Sequence, residues 1–75
     1  MRIDLHGMTS EEATGKVEMA LLSFENDHYE HQLEIITGYG GGVLKALVED
    51  ALYSYPSMEW RHANGNGGSY LITKI

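Results

Sequence analysis

Cysteine is absent from the 75 residues, which excludes disulfide staples and thiolate metal sites and leaves the redox compartment undetermined. Positive charge is scarce: five Lys and Arg stand against 11 Asp and Glu, for a net charge of -6 and a pI near 4.9. That balance argues against broad attraction to phosphate backbones and leaves room only for a local cationic spot. Unbroken apolar runs are short, below what a membrane span or a secretory h-region requires, so the expectation is a soluble, cytoplasmic protein without a membrane partner. What the chain does have is 43% apolar residues in 8.4 kDa. This is the composition of one globular domain, residues 1–75, near the size at which a single core is just adequate.

Periodicity divides the chain into six elements. "MRIDLHG" alternates Ile3 and Leu5 with Arg2 and Asp4 before Gly7 ends a short strand. Thr9 and Glu12 form a capping-box pattern, after which Ala13, Val17, Ala20, Leu21 and Phe24 share one face of a helix. Gly15 weakens that helix by about 1 kcal/mol relative to Ala, unless a neighbouring backbone packs closely there. Leu33 to Thr37 reads as a second strand whose Ile35-Ile36 pair is apolar on both faces. Val43, Leu44, Leu47, Val48, Ala51 and Leu52 stripe a second helix that stops before the single proline, Pro56. "MEWR" and Tyr70 to Thr73 read as strands joined by the turn segment "HANGNGG".

The order is β-α-β-α-β-β, an α/β class. Right-handed crossovers lead to a four-stranded mixed sheet in the order 2-1-3-4, with strand 4 antiparallel at the edge and a helix on each face. In that arrangement "HGM" and "TGYGGG" flank a crevice between the ends of strands 1 and 2, the usual ligand position in open α/β sheets.

Gly38, Gly40, Gly41 and Gly42 sit where the second strand hands over to the second helix. Converging N-H groups and the positive dipole end would there favour a phosphate or carboxylate, with Thr37 adding a hydroxyl and Lys45 a charge. The plainer alternative is a simple strand-to-helix turn. The run is neither a P-loop, lacking GK[ST], nor a dinucleotide fingerprint. His6 follows a strand rather than lying on an apolar face, and imidazole is the side chain that changes charge near neutral pH. Asp4, two residues earlier, points to the same side and is expected to orient it. His28 and His31 have a metal-like spacing but no third ligand, so no metal is expected. Glu25, Asp27 and Glu30 make their loop an unlikely nucleic-acid surface. Tyr53 and Tyr55 read as packing residues and Trp60 as facing the core or the sheet edge.

"IDLHGMTSEEA", "IITGYGGGVLKALVEDAL" and "NGNGGSYLIT", in that order, resemble the Smr domain, the small MutS-related module. Its D-L-H-G falls on Asp4 to Gly7, its [H/T]-G-x-G-x-G-x-L-[R/K] on Thr37 to Lys45, and its Gly-rich hairpin on Gly65 to Leu71. The resemblance implies a fold like the C-terminal domain of a bacterial translation initiation factor and, in some members, membership of a larger MutS-like chain. It implies nicking or endonucleolytic cleavage of DNA or RNA, with His6, Asp4 and Thr37 catalytic. Gly7, Gly38, Tyr39, Gly40, Gly41, Gly42, Lys45 and Arg61 would bind the substrate, and no cofactor is called for. Tyr39 stands where the family often carries Lys or Arg; it can stack but cannot neutralise phosphate, so binding is expected to be weak and salt-dependent. The alternative is a non-catalytic nucleic-acid or phosphate-binding module, and a third class, protein interaction, would need an exposed apolar patch.

Overall fold

The structure, a computed structural model, describes residues 1–38, 42–63 and 68–75. The elements are β1 (Arg2–Asp4), α1 (Ser10–Asn26), β2 (Gln32–Ile36), α2 (Gly42–Leu52), β3 (Met58–His62) and β4 (Ser69–Lys74). Thr9 caps α1: its hydroxyl accepts from the Glu12 N–H at 3.2 Å, and the Glu12 carboxylate accepts from the Thr9 N–H at 3.0 Å. Hydrogen bonding from Thr9 to the carboxylate, that of its backbone N–H foremost and that of its side chain second, holds the Glu12 carboxyl below its ordinary pKa. Because the folded value is the lower one, this contribution to stability is present above the ordinary glutamate range and fades as pH falls through the folded pKa.

Every residue that the periodicity placed on the inner face of α1 is buried. Gly15 is exposed, and a Cβ there would meet nothing within 4 Å. No close backbone approach requires the glycine, so it is a pure cost in helix propensity. Gly15→Ala is expected to stabilise the domain by about 1 kcal/mol, which for a domain of this size raises the thermal midpoint by roughly 4–8 °C. An unchanged or lowered midpoint would mean that the residue has a role beyond the helix.

The sheet order is β1-β2-β4-β3, not 2-1-3-4. β1 is an edge strand, parallel to β2 alone. β4 is antiparallel, as expected, but lies inside the sheet between β2 and β3. Both crossovers, β1 to β2 and β2 to β3, therefore advance in the same direction across the sheet. Right-handed connections that advance in one direction place their helices on one face; only a reversal places them on opposite faces. Accordingly α1 and α2 pack against each other and share one core with Leu33, Ile35, Tyr70 and Ile72, and the expected helix on each face is corrected to a two-layer α/β sandwich. Ile36 is only half-buried because its face carries no helix.

Polarity separates the two C-terminal strands. On β4, Tyr70 and Ile72 are fully buried; on β3, only Met58 is buried and the four residues from Glu59 to His62 are exposed. Charged, outward residues suit an edge and an apolar run suits the interior. Tyr70 also ties the layers together, its hydroxyl donating to Glu49 Oε2 on α2 at 2.6 Å. Burial, reinforced by the Glu49 hydrogen bond and charge, pushes the Tyr70 pKa well above the ordinary phenol range.

Candidate functional site

Parallel pairing of β1 with β2 puts the carboxyl ends of both strands on one rim. Asp4 is in register with Ile36, and the Leu5 N–H donates to the Ile36 carbonyl at 2.8 Å. The rim is not a topological switch point, since the connections do not reverse there, yet the two loops expected to meet do meet. Leaving β1, the backbone turns at Gly7, with φ +83°, and the Met8 N–H donates to the Leu5 carbonyl at 3.0 Å. An exposed Asp4 carboxylate accepts from the backbone N–H of His6 at 2.9 Å. This is an Asx-type turn. Asp4 shapes the loop from which the imidazole projects, and its bond goes to the His6 amide rather than to the ring as expected from sequence.

His6 itself is exposed, and its ring lies over the first loop glycine. A Cβ on Gly38 would stand 3.0 Å from His6 Cδ2. Gly38 has φ +81°, in the region that L side chains rarely adopt. Two independent constraints thus meet at one residue: the backbone needs glycine, and the imidazole occupies the space where a side chain would begin.

Thr37 is 2% exposed. Its N–H and that of Gly38 both donate to the Gly68 carbonyl, at 2.9 and 3.1 Å. The hydroxyl donates at 3.3 Å to Gly38 O and at 3.5 Å to Gly68 O, the latter at the limit of a hydrogen bond. Its oxygen is turned into the scaffold, so Thr37 holds the glycine segment to the start of β4 rather than offering a hydroxyl to solvent. Sequence reasoning missed Gly68 as the anchor of this loop. The clue was its place at the end of the Gly-rich hairpin, immediately before an apolar strand.

Tyr39, Gly40 and Gly41, and the turn residues 64–67, lie outside the described residues. α2 begins at Gly42 with no acidic residue in its first turn, so no carboxylate of that turn already neutralises the positive end of the dipole. Lys45 is half-buried one turn in. Arg61 is elsewhere: it lies on β3, three strand spacings or roughly 14 Å from β1, in register with Leu71 and so on the face without helices. Arg2 faces Glu34 at 3.7 Å. The segment carrying Asp27 and Glu30 enters β2 at its other end, about 15 Å or more from the glycine loop at strand rise. That acidic loop is therefore kept away from the rim, whose own carboxylates among the described residues are Asp4 and, in the first turn of α1, Glu11 and Glu12. Among the described residues no group of His, Asp and Glu is arranged to hold a metal ion, and no helix is long and apolar enough to cross a membrane.

Three comparisons bear on this geometry. The family model of the Smr domain matches residues 3–73. Ribosome rescue factor SmrB of Haemophilus influenzae is 37% identical over 60 residues, 80% of this chain and 35% of that protein. The Pasteurella multocida protein of the same name is 33% identical over the same shares. The chain thus spans about a third of the length of the curated relatives it matches. The crystal structure of the Smr domain of Thermus thermophilus MutS2 superimposes with a TM-score of 0.80 at 26% identity, covering 99% of this chain and 96% of that one.

Proposed function

Because this chain belongs to the Smr domain family, we propose that its β1–β2 rim binds single strands or junctions of RNA or DNA and cleaves a phosphodiester bond there. The reading rests on one observation above all: the His6 ring packed over Gly38, beside the amino end of α2. In this reading the amides at the start of α2, with Lys45, hold the phosphate. His6 transfers the proton that either activates the attacking oxygen or releases the leaving one. Asp4 and Thr37 act as positioning residues, one through the His6 backbone and the other through Gly68. The ribosome-rescue function in the names of the SmrB relatives favours RNA.

A second reading, a binding module without cleavage, is favoured by the net charge of -6 and by the Asp4 carboxylate being bonded to the His6 backbone. Both readings predict that a decameric RNA, titrated at low salt, shifts the amide resonances of residues 38–45 more than those of residues 25–31, with affinity falling steeply as salt rises. A response centred on residues 25–31 would overturn both. Strand scission of structured RNA or supercoiled DNA, lost in a His6 variant, separates the first reading from the second.

A further inference from the structure

The only tryptophan of the chain, Trp60, lies on edge strand β3 and stays 40% exposed. Its ring is 5.2 Å from that of buried Tyr70 and edge-on to exposed His62 at 5.9 Å, while His62 and Tyr70 are 4.8 Å apart. Tyr70 supports the pair from beneath. Beside Trp60 opens a cavity of about 250 Å³ lined by Glu49, Tyr53, Tyr55, Pro56 and Met58. Tyr53, expected as a packing residue, is 86% exposed. The cavity is smaller than pockets that take drug-sized ligands, which begin near 300 Å³, so it suits a single ring system.

Glu49 sets the chemistry. One carboxylate oxygen, Oε2, accepts from Tyr70 at 2.6 Å, which fixes the group. A carboxylate keeps lone pairs for further donors. Such a group repels phosphate and accepts N–H groups, so the cavity favours an N–H-bearing edge over a nucleic-acid backbone. β3 leads from the cavity at Met58 toward the rim side of the sheet at His62, where β4 begins beside Gly68, whose carbonyl holds Thr37 and Gly38.

Resting on the nucleic-acid reading above, we infer that Trp60, with Tyr53 and Glu49, forms a stacking subsite for one unstacked nucleobase of the strand held at the His6 rim. Guanine is the preferred base, because its Watson–Crick edge carries adjacent N–H donors that a carboxylate can accept together. Uracil offers one such donor flanked by acceptors.

The unique tryptophan makes the test site-specific. Decamers of alternating uridine and guanosine, of uridine alone, and of abasic backbone are titrated while Trp60 fluorescence and the amides of residues 38–45 are followed in parallel. The alternating decamer should quench Trp60 saturably, in step with the amide shifts. Uridine alone should bind more weakly, and the abasic strand should leave the fluorescence unchanged. Trp60→Leu should weaken the alternating decamer about tenfold, within the range for loss of one stacked base, whereas Trp60→Phe retains a stacking face and most of the affinity. Glu49→Gln, which keeps an acceptor for Tyr70, should reduce the preference for guanosine. If the amides shift while Trp60 fluorescence and the Trp60→Leu affinity do not change, the subsite is wrong and nucleic-acid binding at the rim survives. If neither probe responds, both readings fall. If Trp60 responds to an arginine-rich peptide and to none of the decamers, the cavity is a cation cage and the inference is overturned.

Discussion

His6→Ala is expected to lose about 10²-fold or more in turnover at saturating substrate, with little change in the dissociation constant, the usual size of a general acid-base contribution. The His6 ring is exposed on the rim, so its removal leaves no buried void and the fold should stand. The groups proposed to hold phosphate, the first amides of α2 and Lys45, belong to a different element and are left in place. Asp4→Asn supplies the contrast. The asparagine carbonyl can still accept from the His6 N–H that Asp4 Oδ1 now binds at 2.9 Å, so most of the activity should remain. Were Asp4 acting on the imidazole, its amide would be nearly as damaging as loss of the ring. Undiminished turnover of His6→Ala at saturation would end the catalytic assignment and leave the binding module.

The second large effect is expected from a pair of glycine variants that share a backbone constraint and differ in surroundings. Gly7 and Gly38 have φ of +83° and +81°, so alanine at either should cost about 1–2 kcal/mol of stability. At Gly7 a Cβ meets nothing within 4 Å, whereas at Gly38 it stands 3.0 Å from His6 Cδ2. Gly38→Ala must therefore displace the imidazole as well. A misplacement of about 1 Å at a reacting group can lower the rate by 10²-fold; the ring need shift only by part of that, so the turnover loss of Gly38→Ala should fall between those of Gly7→Ala and His6→Ala. Gly7→Ala should lower the melting temperature similarly while keeping much more activity. Equal activity losses at equal destabilisation would mean that the His6–Gly38 contact is incidental.

The sequence carried the elements more fully than their arrangement. The capping box at Thr9 and the apolar stripe of α1 are local signals, and both are present as read. β2, β3 and β4 are offset from their expected bounds by no more than a residue at either end. The strand order was misread because the crossover rule sets a hand and leaves the direction of travel open. The polarity contrast between "MEWRH" and "SYLITK" was the available clue to which strand lies at the edge.

Of the site, the sequence by itself determined the chemistry: an imidazole beside a tight turn, a glycine segment entering a helix, and few cations to support them. It also determined that both lie at strand ends, because hydrophobic periodicity stops there. Only the tertiary structure decided that His6 rests on Gly38, that the Asp4 carboxylate serves the backbone, that Thr37 is turned inward, and that Arg61 is three strands away. These are relations between residues distant in the chain, created by strand pairing and core packing, and no local pattern encodes which loop faces which until the order of the sheet is known.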